Sequence, residues 1–193
     1  MMYGINNMKD DKVIVISDVS QVEENLNKIY KSIELTKAVV FDQLKKLNSI
    51  EAFKTIKFDE IAIDPFIHDR HINFIEMLNQ SFSDIVVFKG VEYLLKKYKG
   101  KTFTLNTGAS HGSDIVSDDK SVVAECFFVV SVFNNQKIKK DSEKLMENGK
   151  NVNKYIFFYS HRDEKDKLVE YVKGMSDINY LRLKNDLGAF EEL

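Results

Sequence analysis

Apolar positions in the first quarter of the chain recur at steps of three and four. From Gln21 to Asn48 the stripe is Val22, Leu26, Ile29, Ile33, Val40, Leu44 and Leu47, with Thr36 between Ile33 and Val40. No glycine or proline interrupts it, so the spacing predicts one long amphipathic helix, capped by Asp18 or Ser20. The stripe is nearly heptad. It suits a helix packed on its own domain, or one pairing with its copy in a homodimer; Thr36 and Gln43 in the seam weaken the second. Upstream, Lys12 to Ser17 reads as a short strand or the apolar lead-in to the helix. Glu51 to Arg70 predicts no clear element, and Asp64-Pro65-Phe66 reads as an extended connection. Two further helices are predicted, Ile72 to Val86 and Gly90 to Tyr98. Lys96, Lys97 and Lys99 suit the end of the second, and Gly100 stops it.

From Thr102 the period falls to that of strands. Thr102 to Thr107 predicts one strand, and residues 108–112 a glycine-containing loop. Gly112 to Val116 and Val122 to Val130 then predict a hairpin about a turn at Ser117-Asp118-Asp119-Lys120. A helix capped by Asn134 or Asn135 runs to about Asn148 and stops at Gly149. A buried strand (Asn153 to Ser160), a helix (Asp163 to Lys173) and a last strand (Ile178 to Leu183) complete the order. The fold class is α/β. An N-terminal helical region, residues 1–70, able to build a dimer, precedes an α/β core, residues 71–193, within one compact domain. No internal repeat or low-complexity tract is visible.

The 193 residues carry 28 Lys+Arg against 30 Asp+Glu, a formal net charge of -2. No global basic field is available for nucleic acid, so such binding needs a local patch. Arginine occurs only at 70, 162 and 182; lysines, which contact phosphate as point charges, supply the other cations. A single cysteine, Cys126, excludes an internal disulfide, and its apolar strand suits a packed thiol. No run approaches a membrane span and no signal core opens the chain, so a cytoplasmic location is expected.

The hairpin carries the chemistry. Strand alternation puts Glu125 on the face of Val123 and Phe127, with Ala124, Cys126 and Phe128 on the other. A carboxylate within an apolar strand is costly to bury without a partner, and a divalent cation shared with Asp114 would supply one. Other motifs are weaker. His68 and His71 share a spacing that could bind metal, but no third ligand stands near, and an exposed helix start is the simpler reading. Ser160-His161-Arg162 follows a strand end and reads first as an exposed turn. No phosphate-binding glycine loop, nucleophile elbow or cysteine cluster is present.

The order helix, three strands, helix, strand, with Asp114 on the second strand and Glu125 on the third, resembles the PD-(D/E)xK nuclease superfamily, the fold of many restriction endonucleases. The resemblance rests on Ser113-Asp114-Ile115-Val116 and Ala124-Glu125-Cys126-Phe127, and extends by element order over residues 72 to 160. It implies a restriction-endonuclease-like core and Mg²⁺-dependent hydrolysis of DNA phosphodiester bonds, with Mn²⁺ as the alternative ion and RNA as the less favoured substrate. Asp114, Glu125 and the carbonyl of Cys126 would hold the metal, with Glu76 on the preceding helix as an additional ligand. Ser110 and His111, in the loop before Asp114, are placed to touch phosphate or a metal-bound water. The family's lysine is missing: Phe127 stands two residues after Glu125. Either the next helix supplies the cation, where Lys137, Lys140 and Lys144 share a stripe and Lys137 or Lys140 is favoured as nearer its start, or the site is inactive and the fold serves binding only.

Overall fold

The computed structural model describes residues 13–67, 69–107, 112–175 and 177–193. Strand β1 (Val13–Ile16) leads into α1 (Val19–Lys46). Asp18, rather than Ser20, is the cap: its carboxylate accepts from the N–H groups of Ser20 and Gln21, and the Gln21 side chain accepts from the Asp18 N–H. Val22, Leu26 and Ile29 are buried in the protein's own core against helix α3 (Phe74–Lys97). That half of the stripe is therefore not a surface for a second copy.

The polar residues in the stripe have a structural role. Ser32 donates from Oγ to the carbonyl of Ile63 at 2.5 Å, and Thr36 Oγ1 accepts from the Ile63 N–H at 3.3 Å. Ile63 belongs to β2 (Ala62–Ile63), which pairs antiparallel with β3 (His71–Ile72). Thr36 interrupts the apolar seam because it holds this small hairpin. Beyond Thr36 no α1 residue is buried, from Lys37 to Lys46. Helix α2 (Ser49–Phe58) follows, in a stretch where the pattern predicts no element; Asn48 caps it and only Ala52 is buried.

Helix α3 is continuous where the sequence pattern predicts two helices. It starts after the Asn73 cap rather than at Ile72, which is used in β3. It runs through Gly90 because eleven of its residues are buried, which outweighs the roughly 1 kcal/mol a mid-helix glycine costs. Gly90 lets the helix lie close on the sheet. A Cβ there would sit 2.9 Å from Cδ2 of Phe157 and 3.2 Å from Cδ1 of Ile115. Phe157 is itself wedged between Tyr155 and Phe190, at centroid distances of 5.6 and 4.8 Å, and cannot yield. Gly90→Ala is therefore expected to lower stability by about 1–3 kcal/mol despite its better helix propensity, read as a lower melting temperature. An unchanged or raised value would show that the helix can lift.

The main sheet combines β1 with β4 (Phe103–Asn106), β5 (Ile115–Ser117), β6 (Val122–Val129), β7 (Asn153–Ser160), β8 (Ile178–Leu183) and β9 (Phe190–Glu192), in the order β1-β4-β5-β6-β7-β8-β9. The β6-β7 and β7-β8 pairs are parallel and the others antiparallel. The last strand, β9, has no counterpart in the sequence-based expectation. Helices α4 (Lys137–Met146) and α5 (Lys165–Val172) form the two parallel crossovers.

Alternation along β6 and β7 separates two cores. Val122, Ala124, Cys126, Tyr155 and Phe157 face α1 and α3; Val123, Phe127, Ile156 and Phe158 face Ile138 and Leu145 of α4 and Leu168 of α5. The protein is thus an α/β fold with a mixed sheet and five α-helices among the described residues. No described helix is long and apolar enough to cross a membrane. The expected side-chain cap of α4 by Asn134 or Asn135 is absent. A single 3₁₀ turn, Asn134–Gln136, enters the helix with Asn135 and Gln136 at φ of 53° and 56°, and neither side chain caps it. This turn sends α4 back along the sheet.

Candidate active site

Strand register explains why two acids meet. In the β5-β6 ladder Ile115 faces Ala124 and Val116 faces Val123. Continued by one residue, that register sets Asp114 opposite Glu125. Directly opposed residues of an antiparallel pair share a face. Ile115 and Ala124 belong to the α3 side, so Asp114 and Glu125 belong to the α4 side. The Asp114 carbonyl still accepts from the Asn106 N–H at 2.9 Å, holding the backbone in line with β4.

The β5-β6 ladder ends at this point. The Cys126 N–H donates instead to Oδ2 of Asp114, at 2.7 Å. The N–H and C=O of one strand residue point to the same side. The Cys126 carbonyl is therefore directed toward Asp114, where β5 no longer competes for it. The Cys126 thiol lies on the α3 side, and burial pushes its pKa well up, so it is a packing group.

Glu125 is only 2% exposed. Its Oε2 accepts from Nζ of Lys144 at 2.9 Å, while Oε1 is buried without a hydrogen-bond partner. The same Lys144 ammonium donates to the Gly112 carbonyl at 2.6 Å, tying α4 to the segment just before Asp114. Burial, then repulsion from Asp114, push the Glu125 pKa up to about 7, with Lys144 and the Ser113 side chain opposing. The Asp114 carboxyl is also raised, mainly by burial, against the Cys126 N–H, Lys144 and Lys137. The half-buried Asp114 and the buried Glu125 thus sit close enough to repel each other, and the groups around them offset this only in part.

Lys144 makes the direct contact; of the two lysines favoured by the sequence, neither does. Lys137 is 2.9 Å from Oδ1 of Asp141, with its ammonium 5.6 Å from the centroid of the Phe127 ring. It reaches Asp114 only through space. Lys140 is exposed. The reason is geometric. From the top of β6 down to Glu125 is about 13 Å of strand, which a returning helix covers in roughly nine residues. That count from the start of α4 lands near Lys144, not at its first turn. Asp141, which the sequence reading missed, joins the cluster on the same helix. It is buried with Oδ2 unpartnered, and burial raises its carboxyl. The signal was its place three residues after Ile138, on the apolar side of α4.

Glu76 is not brought to the site. Its carboxylate accepts from Asn73 and Gln80 in the first turns of α3, near Arg70 at 4.0 Å. Its charge is not among those acting on Asp114. Ser110 and His111 lie outside the described residues, as does His68; His71 is exposed in β3. Arg162 continues the β7 end, its N–H donating to the Val130 carbonyl.

An open groove of about 410 Å³ runs beside the acids, lined by Gly112, Ser113, Lys120, Lys144 and Asn148 among others. A larger apolar cleft, about 660 Å³, lies on the opposite face between α3 and the ends of β6 and β7, away from the acids. Among the described residues no group of three or more His, Cys, Asp or Glu side chains is gathered to hold a metal ion. The available donors are two carboxylates and the Cys126 carbonyl. That set suits Mg²⁺, which takes oxygen ligands and keeps several waters. The unpartnered Oε1 of Glu125 is the observation that fits a cation.

The raised Glu125 pKa has a testable sign. Its folded value of about 7 lies above its ordinary 4.5. Its contribution to stability is therefore complete below pH 4.5 and lost as pH rises through 7. Glu125→Gln keeps an acceptor for Lys144 and removes the charge. It is expected to raise the melting temperature at pH 8, by an amount equivalent to about 1–3 kcal/mol, and to change it little at pH 4.5. An equal loss at both pH values would mean that the Lys144 pair outweighs burial.

No protein-family model matches the chain, and neither a curated protein nor a solved structure matches it.

Proposed function

We propose that this protein is a metal-dependent phosphodiesterase of the nuclease kind, acting on DNA, with its site at Asp114, Glu125 and Lys144. The reading is carried by one observation: register sets the half-buried Asp114 opposite the buried Glu125, which keeps one oxygen without a hydrogen-bond partner beside a lysine. The succession α3, β4, β5, β6, α4, β7 supports a restriction-endonuclease-like core for this fold.

Asp114, Glu125 and the Cys126 carbonyl are the groups that would hold Mg²⁺ or Mn²⁺. Bound there, the ion would act as a Lewis acid toward the phosphate and lower the pKa of an attacking water. The Cys126 N–H fixes the Asp114 carboxylate so that it need not reorganise when charge develops. Lys144 replaces the lysine missing at Phe127. It holds a cation at the acids, and its partly exposed ammonium reaches the groove where a phosphate would approach. Lys120 lines the same groove and adds a point charge for the backbone.

The second reading is a binding protein with an inactive site. It is favoured by Phe127 at the family's lysine position and by the Lys144–Glu125 pair, which already occupies one carboxylate oxygen. Supercoiled plasmid separates the two. Nicking that requires Mg²⁺ or Mn²⁺ is expected. No nicking, together with no rise in melting temperature on adding either ion, would leave the binding reading.

A further inference from the structure

The carboxyl ends of β6 and β7 run on past their outer neighbours. The β5-β6 ladder stops at Ala124 and the β7-β8 ladder at Phe158. Register sets Phe128 beside Tyr159 on the α3 side, and Phe82 of α3 lies against Phe128. The three rings form one near-parallel stack. Centroids are 4.6 Å apart for Phe82–Phe128 and 4.3 Å for Phe128–Tyr159, with planes inclined by 24° and 8°. This stack and Val130 line the apolar cleft of about 660 Å³ at these strand ends. That volume lies within the roughly 300–1,000 Å³ of small-molecule sites. Its place, outside the carboxyl ends of parallel strands, is where open α/β sheets hold their ligands.

We propose that this cleft binds an uncharged, planar aromatic small molecule with hydrogen-bonding groups on its edge, of the nucleobase type. Three observations choose that class. First, all three rings line the cleft and none is fully buried, so they offer π surface to a flat ring system. Second, among the described residues no Asp, Glu, Lys or Arg lines it, which disfavours a phosphate or carboxylate group. The groove beside the acids, with Lys120 and Lys144, is the opposite case. Third, the Tyr159 hydroxyl and the side chains of Asn79, Ser83 and His161 line the cleft without a hydrogen-bond partner among the described residues. They can serve donors and acceptors on the edge of a ligand. An aliphatic chain would use neither the rings nor these polar groups. The proposal does not depend on the nuclease reading.

The test uses the full chain and 2-naphthol, a planar fluorescent probe uncharged at neutral pH; the chain has no tryptophan to mask its emission. Saturable binding of one probe per chain is expected, with a Kd below about 100 μM. Adenine should displace the probe; octanoate, flexible and anionic, should not. Tyr159→Leu keeps apolar volume but removes a ring and a hydroxyl, and should weaken binding about 10-fold. Val130→Asp, at a residue 54% exposed, puts a charge on the lining without entering the core and should weaken binding by at least as much. Phe53→Glu, which removes a ring exposed on α2, is the control and should bind the probe as the wild type does. No saturable binding, or binding unchanged in both cleft variants, would overturn the proposal. So would displacement by octanoate, or none by adenine. Loss of binding in Phe53→Glu but not in Val130→Asp would place the probe on the outer helices and overturn it as well. A probe-to-chain ratio that falls as protein concentration rises would also overturn it, making a second copy the occupant.

Discussion

Asp114→Asn is expected to abolish the proposed metal-dependent nicking while leaving the protein at least as stable as the wild type. The amide keeps an oxygen for the Cys126 N–H, so the local hydrogen bond survives. What it removes is a charge that burial already opposes. Loss of that charge also relieves Glu125, which is pushed up partly by Asp114 and should titrate at lower pH in the variant. Cleavage should fall by about 10³-fold or more, since an ion needs the carboxylate and the developing charge needs the ion. Activity falling while the melting temperature holds or rises separates a chemical role from a structural one. Retained nicking in Asp114→Asn would remove this site from the reaction.

Lys144→Ala should give the second largest loss, about 10²-fold in cleavage. The alanine leaves burial and Asp114 repulsion opposed only by the Ser113 side chain, so the Glu125 titration moves above about 7. The acid side of the pH–activity profile should therefore move to higher pH, a shift that a mere loss of packing would not produce. The stability change should be small, because the Lys144 side chain is 41% exposed and solvent screens it. Lys140→Ala should be without effect. Lys137→Ala should lie between them, since Lys137 acts on Asp114 only at a distance and is held by Asp141 and the Phe127 ring. A larger loss in Lys137→Ala than in Lys144→Ala would return the role to the start of α4.

Much of this arrangement was legible in the residues. Alternation along Val122–Val129 sorted Glu125 from Cys126 correctly, because a strand between two helical layers buries both faces and leaves a lone acid conspicuous. The capping box at Asp18 and Gln21 marked the start of α1 for local reasons. The misses have physical causes. Helix α2 hides because its apolar residues face outward, so no buried stripe announces it. The split predicted in α3 fell between Val86 and Gly90, whereas the helix is continuous there and the glycine serves the close approach of Phe157. Thr36 looked like a flaw in a seam and is instead a hydrogen-bond acceptor for β2. The lysine that touches Glu125 is Lys144, beyond the two favoured from the sequence, because the helix must run back along the strand before it reaches that level.

Helix α1, with 28 residues, is a rod of about 42 Å. Its first half is buried against α3, and none of its residues from Lys37 to Lys46 is buried. Trimming one helical turn beyond Thr36 would leave the buried half of the rod untouched and move α2 by about 5 Å along it.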